Sequence, residues 1–363
     1  MSYITAVGTA TPSHKIPQSS IANFMIKAMD LDSLHTRKLQ AIFKSSGIAT
    51  RYSVLEDYGK LNDFTFFSND GDPKKFPTTR DRQTVYQQHA LPLALQAIHH
   101  LNENDFSTVT HLITVSCTGL YAPGLDIELV QKLNLNTSVQ RTNIMFMGCY
   151  AAFNALKVAD AFCKENANAK VLVVCIELCS LHFQKEVNED NILANALFAD
   201  GAAAVMVSAK PSNGVQLKLK AFHNDLATDG NQAMAWLVGD YGFEMRLSAY
   251  VPAIIKQGIK NLTDALLKKI EFQFSDIQHF AIHPGGKKIL EVIESELDIT
   301  REKNTSAYHV LQNYGNMSSA TVLFVLQHCW KSFTNKNHGE HVLSFAFGPG
   351  LTMESMLLEI EMV

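Results

Sequence analysis

The sequence is short of charge. Only 18% of its 363 residues are Asp, Glu, Lys or Arg, against 47% hydrophobic, and the net charge is −4. A weakly negative balance offers no basic face to a phosphate backbone, so nucleic-acid binding is not expected. No run reaches 18 apolar residues, which leaves no predicted membrane span. The opening stretch, MSYITAVGTATP, lacks a basic segment followed by an apolar one. No secretory signal is therefore predicted, and a cytoplasmic location is expected. The cysteines, Cys117, Cys149, Cys163, Cys175, Cys179 and Cys329, include no CxxC pair. That spacing argues against a zinc site and against a disulfide framework, and for reduced thiols. No metal and no resident cofactor are predicted.

What is present is a large apolar interior, suited to two domains or one doubled core. Strand-like and helix-like segments alternate. YITAVGT (3–9), VTHLITVSC (109–117), QRTNIMFM (140–147), AKVLVVCIEL (169–178) and FADGAAAVMVSA (198–209) read as strands. GLDIELVQKLNL and CYAAFNALKVADAFCKEN between them read as helices, as do residues 17–48 for the most part. A long helix is expected through QQHALPLALQAIHHL, with Pro92 near its start or kinking it. SNDGDPKKFP (68–77) reads as a surface loop. The second half repeats the theme, from the helix VPAIIKQGIKNLTDALLKK to the strand HVLSFAFGPG. This alternation predicts an α/β fold with a substantially parallel sheet. The Pro-Ser-Asn-Gly cluster near 209–215 divides the chain into halves of 1–210 and 211–363.

Four places carry candidate chemistry. Cys149, in NIMFMGCYAA, sits between a strand ending near Met147 and a helix beginning about Tyr150. A helix N-terminus favours a thiolate over the ordinary thiol with its pKa of about 8.5. The alternative is a buried cysteine filling a small space. His283, in HFAIHPGGKK, ends a strand before a Pro-Gly-Gly turn, where α/β sheets assemble sites; alternatively it is a satisfied, half-buried histidine. Asn316, in NYGNMSSATVLFVL, is either a turn residue or an amide donor to an oxyanion. FGPG (347–350), with Gly348 and Pro349, is either an ordinary turn or backbone passing close to a cavity wall.

Taken together, the stretches GCYAA, KVLVVCIEL, ALFADGAAAVMV, IHPGGKKILE, YGNMSSATVL and FGPGLTMES resemble the type III polyketide synthases, the chalcone synthase-like branch of the thiolase superfamily. They run in that family's order over nearly the whole chain. The resemblance implies a thiolase-like five-layered αβαβα fold of two similar halves, and a homodimer. It implies a Cys149–His283–Asn316 triad, with Cys149 as the acyl-bearing nucleophile, paired as thiolate with a His283 imidazolium. His283 and Asn316 would hold the oxyanion. Acyl-CoA starters and malonyl-CoA would be the substrates, with coenzyme A as its own handle and no carrier domain. Phe198 resembles an aromatic gatekeeper, and Ser318 a cavity-wall residue. Lys44 and Arg37 resemble basic contacts to coenzyme A, with a solvated helix face as the alternative.

The sequence also departs from the plant members. Met245 stands where they have a second gatekeeper phenylalanine. Cys117 and His182 replace wall threonines, Ala122 a methionine that reaches across the dimer, and Gln40 a third basic position. A flexible Met and small wall residues would admit a long acyl chain. That favours alkylpyrone or alkylresorcinol products over chalcone, with the cyclisation mode open among pyrone, resorcinol and phloroglucinol types. Whether Cys117, His182 or Glu244 takes part is also open. The competing reading is an initiating β-ketoacyl carrier-protein synthase with a single condensation. A cysteine hydrolase and a non-catalytic homologue are less well matched to the motifs.

Overall fold

The computed structural model of the chain describes residues 1–68, 76–103, 105–230 and 233–363; most of the predicted SNDGDPKKFP loop lies outside them. The chain opens with β1 (Tyr3–Ala10), β2 (His14–Pro17), α1 (Gln18–Ala28), α2 (Ser33–Ser45) and β3 (Thr50–Ser53). Asp32 caps α2 by accepting the N–H groups of Leu34 and His35. Thr78 and Asp81 form a capping box at the start of α3 (Thr79–His99). Pro92 lies in the body of α3, not near its start, and removes one hydrogen bond there.

β4 (His111–Ser116), α4 (Leu125–Lys132), β5 (Gln140–Met145), α5 (Ala151–Glu165), β6 (Lys170–Leu178), α6 (Glu189–Leu197) and β7 (Asp200–Ser208) complete the first half. The second half holds β8 (Val215–Leu226), β9 (Met234–Gly239), β10 (Gly242–Leu247), α7 (Val251–Lys268) and β11 (His279–Ile282). It continues with α8 (Lys287–Leu297), α9 (Thr305–Tyr314), α10 (Thr321–Trp330), β12 (His341–Gly348) and β13 (Thr352–Met362). The alternation pattern does not reach β8 and β13, whose antiparallel pairing is long-range, or the local β9–β10 hairpin.

A nine-stranded mixed sheet runs in the order β11-β12-β13-β8-β1-β7-β6-β4-β5. Its two wings repeat one topology. In the first, β4 pairs parallel with β6, β6 antiparallel with β7, and β7 antiparallel with β1. In the second, β11, β12, β13 and β8 pair in the same senses. β5 has no counterpart in that wing. In the sheet the wings join across β1 and β8, where Tyr3 pairs with Lys218 and Ile4 with Leu217.

Helices sandwich this sheet. α3 covers one face of β1, β6 and β7. α5 packs against β4, β6 and β7 on one side and β13 on the other, while α10 packs against β1, β7 and β11. α7, carrying α8, covers β8 and β13. Those are the five αβαβα layers, so the fold implied by the resemblance is present. The central layer explains its own sequence. α5 is rich in alanine, and nearly every side chain of α10 is buried, because both helices lie between two sheet faces. By the same repeat, α5 and α10 occupy equivalent places, and their N-termini meet beside the ends of β4, β6, β11 and β12. The candidate residues lie there.

Candidate active site

β5 ends at Met145, and a tight turn leads into α5, with Tyr150 as its first flanking residue. Gly148 holds a φ of +82° in this turn. A Cβ there would stand 2.2 Å from Pro349 Cδ, so only glycine fits. Gly348 is equally hemmed in, since its Cβ would meet the Tyr150 ring at 2.6 Å. The FGPG turn therefore backs the cysteine turn, and this close packing accounts for its glycine. From β4, the Cys117 sulfur accepts the Gly148 N–H at 3.0 Å. Phe146 (φ +59°) and Ser318 (φ +47°) carry left-handed backbone, and such strain concentrates at functional sites.

Asn316 lies in the turn before α10. Its N–H donates to Leu197 O at 2.9 Å, and its carbonyl accepts from Ala199 N at 2.8 Å. The side-chain oxygen accepts the Ser318 N–H at 2.9 Å, which leaves the amide nitrogen facing Gly285 O at 3.3 Å and Cys149 Sγ at 3.9 Å. His283 leaves β11 with its N–H on Phe345 O. It is 1% exposed, and neither ring nitrogen has a hydrogen-bond partner. A buried, unpaired imidazole costs free energy unless a ligand completes it. Cys149, His283, Asn316 and Phe198 line one cleft of about 300 Å³.

Burial dominates the titration of the pair. It pushes the Cys149 thiol up to about 12, outweighing the Ser318 and Asn316 hydrogen bonds that lower it, while the Glu177 charge raises it further. Burial alone takes His283 down to about 3. Burial therefore disfavours a charge on either group taken alone. A helix end does not offset the desolvation of a single buried charge.

Phe198 also borders two smaller spaces behind the cleft. Cys117, Met245, Ser318 and Pro349 line one of about 20 Å³, together with Cys149. His182 and Met245 line the other, of about 30 Å³. Each has room for about two waters at most. Among the described residues, the spaces immediately behind Phe198 are thus small. Trp236, on β9, lines both; its indole N–H donates to Cys117 O at 2.6 Å. Sequence reading passed over this residue, since nothing local marks a hairpin tryptophan as a cavity wall.

His182 is a structural histidine. Its Nδ1 accepts the Phe243 N–H, its Nε2–H donates to Thr118 O, and its ring stacks on Phe243 at 4.2 Å. Glu244 is exposed on β10. Lys44 and Arg37 are exposed on α2, and neither lines the cleft, although Ile42, Ser45 and Ser46 of that helix do. Lys287 and Lys288, the first residues of α8, stand at its mouth instead. The legible signal was the basic pair in HPGGKK, read only as the start of a helix after the Pro-Gly-Gly turn.

Comparison with known proteins gives matches along nearly the whole chain. Residues 1–211 match the family model for chalcone and stilbene synthases, N-terminal domain, and residues 218–361 match the C-terminal domain. The chain is 32% identical over 368 residues to "Probable polyketide synthase 1" of Dictyostelium discoideum, covering 99% of this chain but only 11% of that much longer protein. It is 31% identical over 370 residues to "Alpha-pyrone synthesis polyketide synthase-like Pks18" of Mycobacterium tuberculosis, covering 98% of this chain and 91% of the relative. Among solved structures, it superposes on the C-terminal type III polyketide synthase domain of Steely1, a type I/III hybrid from Dictyostelium, with a TM-score of 0.88 and 29% identity over 99% of both chains. PKS-I from the brown alga Ectocarpus siliculosus gives a TM-score of 0.89 and 28% identity, over 99% of this chain and 98% of that one. Matched along both halves, and with Cys149, His283 and Asn316 gathered on one cleft, this chain belongs to the chalcone and stilbene synthase family, the type III polyketide synthases.

Proposed function

We propose that this chain is an acyltransferase that builds a polyketide on Cys149 from an acyl-CoA starter and malonyl-CoA. The observation that carries the reading is the unpaired, buried His283 imidazole lining one cleft with the Cys149 thiol and the Asn316 amide. His283 takes the Cys149 proton, and the thiolate attacks the starter thioester. Coenzyme A leaves with that proton, and the acyl group stays on sulfur. Malonyl-CoA then loses carbon dioxide. The enolate oxygen accepts hydrogen bonds from His283 and the Asn316 amide. Its carbon attacks the acyl-Cys149 carbonyl; a C–C bond forms, the C–S bond breaks with Cys149 leaving as thiolate, and the chain, two carbons longer, is held as a coenzyme A thioester that Cys149 attacks again for the next round. Phe198 stands between cleft and inner spaces and keeps water from the intermediates. Neither step calls for a metal or redox cofactor, because the coenzyme A thioesters carry the reactive groups.

Chamber size supports a compact starter in place of a long acyl chain, since Trp236 lines the small spaces behind Phe198. Lys287 and Lys288 suit the phosphates of coenzyme A at the mouth. A homodimer is part of the same reading: β5 ends the sheet, and its outer edge has no partner strand. Such an edge is a template for pairing with a second copy. No helix among the described residues is long and apolar enough to cross a membrane. The six cysteines are unpaired, which supports a reducing compartment such as the cytoplasm.

Mass spectrometry of products from purified protein tests the reading, with malonyl-CoA and starters ranging from acetyl to long-chain and aromatic. Products carrying two or more added acetate units, made without carrier protein and absent from Cys149→Ala, are expected. A single added unit, or a requirement for a carrier protein, would instead establish the single-condensation ketoacyl synthase.

A further inference from the structure

The end of α6 is held by three unrelated donors. Its last turn leaves carbonyls without helical partners, as every helix end does. Ala196 O accepts Gln18 Nε2–H at 2.8 Å. Leu197 O accepts the Asn316 N–H at 2.9 Å. Phe198 O accepts Arg51 Nη1–H at 2.5 Å. Arg51 Nε–H donates in turn to Gln18 Oε1 at 2.8 Å, so the two side chains form one clamp.

Both are buried, Arg51 at 2% exposure and Gln18 at 6%. The Arg51 stem also presses on the turn that carries Asn316: a Cβ on Gly315 would stand 2.9 Å from Arg51 Cγ and Cδ. Gly315 holds a φ of +72°, so this turn has little freedom to relax. Among the described residues no acidic side chain bonds the guanidinium; Asp200, nearby, spends its oxygens on Val54 and Ser180. A buried cation without a bonded carboxylate is costly, and placing its positive end on a helix C-terminus recovers part of that cost.

We propose that Arg51, with Gln18, is a positioning residue for the reaction: it fixes the Phe198 ring and the Asn316 amide relative to one another. The gate and the oxyanion donor belong to segments far apart in sequence, and this clamp makes them one rigid unit. Loosening it lets water reach the acyl-enzyme and separates decarboxylation from condensation. The inference rests on the proposed polyketide synthase activity. Wild-type protein is therefore assayed first, and absence of any polyketide there overturns that activity and not the clamp.

The experiment compares Arg51→Met, Arg51→Lys and Gln18→Leu with wild type. It reads the ratio of hydrolysed short chains plus uncoupled acetyl-CoA to finished product. Arg51→Met is expected to raise this ratio on the order of tenfold, as loss of a charged hydrogen bond allows. Arg51→Lys is expected to restore it in large part. A purely structural role would lower loading, decarboxylation and condensation in step with the folded fraction and leave the ratio unchanged. An unchanged ratio in folded Arg51→Met overturns the proposal. Should that variant fail to fold, an unchanged ratio in folded Gln18→Leu overturns it instead.

Discussion

Two histidines face the chambers around Cys149, and their environments separate them. His182 spends both nitrogens on backbone groups and stacks on Phe243, whereas His283 keeps both free. Both stand near strand ends in the sequence, so the distinction was not legible there; it depends on what the fold brings against each ring. Cys149 and His283 also show why ionisation resists reading from a motif. A glycine-cysteine turn before a helix suggests a thiolate, but burial pushes the thiol up to about 12. Ionisation then needs the imidazole as proton acceptor. His283→Ala is accordingly expected to move the iodoacetamide alkylation profile of Cys149 to higher pH, because it leaves the thiol buried with no base beside it. An unchanged profile would show that the two groups are not coupled.

Among the elements, the turn before α5 was the most legible. The apolar run, the glycine and the small residues after Cys149 fixed strand, turn and helix within two residues of their observed limits. What escaped was the reason for the glycine, since Pro349 lies two hundred residues away. Gly148→Ala puts Cβ into Pro349 on a backbone of positive φ. The expected cost is about 1–3 kcal/mol from the conformation alone, with more from the clash. Denaturant unfolding measures the loss, and product formation should fall with it. The β9–β10 hairpin was the least legible element, and it sets the chamber. Trp236→Gly removes the indole and its hydrogen bond to Cys117 O. It is expected to extend the accepted starters towards longer acyl chains, read as new products in the mass spectrometer. An unaltered starter range would place the limit elsewhere, on Met245 or Phe198.

For the whole molecule, the buried charges couple the site to stability. Glu177 lies at the centre, accepting from Cys117 N–H, Thr118 Oγ–H and Ser319 Oγ–H, and burial raises it from 4.5 to about 7. Between those values the folded chain holds a proton that the unfolded chain has lost. Stability from this group therefore falls as pH rises through that window. His182 and His283 act in the opposite sense: held at about 3, they stay neutral when folded while their unfolded counterparts protonate, so their contribution is lost as pH falls below 6.5. Glu177→Gln removes only the first effect. Relative to wild type, its unfolding free energy is expected to rise with pH between 4.5 and about 7. The slope should be about 1.4 kcal/mol per pH unit. Denaturant melts at several pH values check this, and a difference that stays flat would mean that Glu177 keeps its ordinary pKa.

The sequence by itself determined the order and type of most elements in the α/β layers, and it marked Cys149, His283 and Asn316. Those rest on local chemistry: apolar runs for doubly buried strands, glycines where the backbone turns, polar residues stranded at strand ends. Only the tertiary structure decided which nitrogens are free, which charges survive burial, and how large the chamber is. Each of those depends on contacts between distant segments, such as Trp236 on Cys117 or Arg51 on Phe198, and desolvation is a property of the packed surroundings and not of the residue.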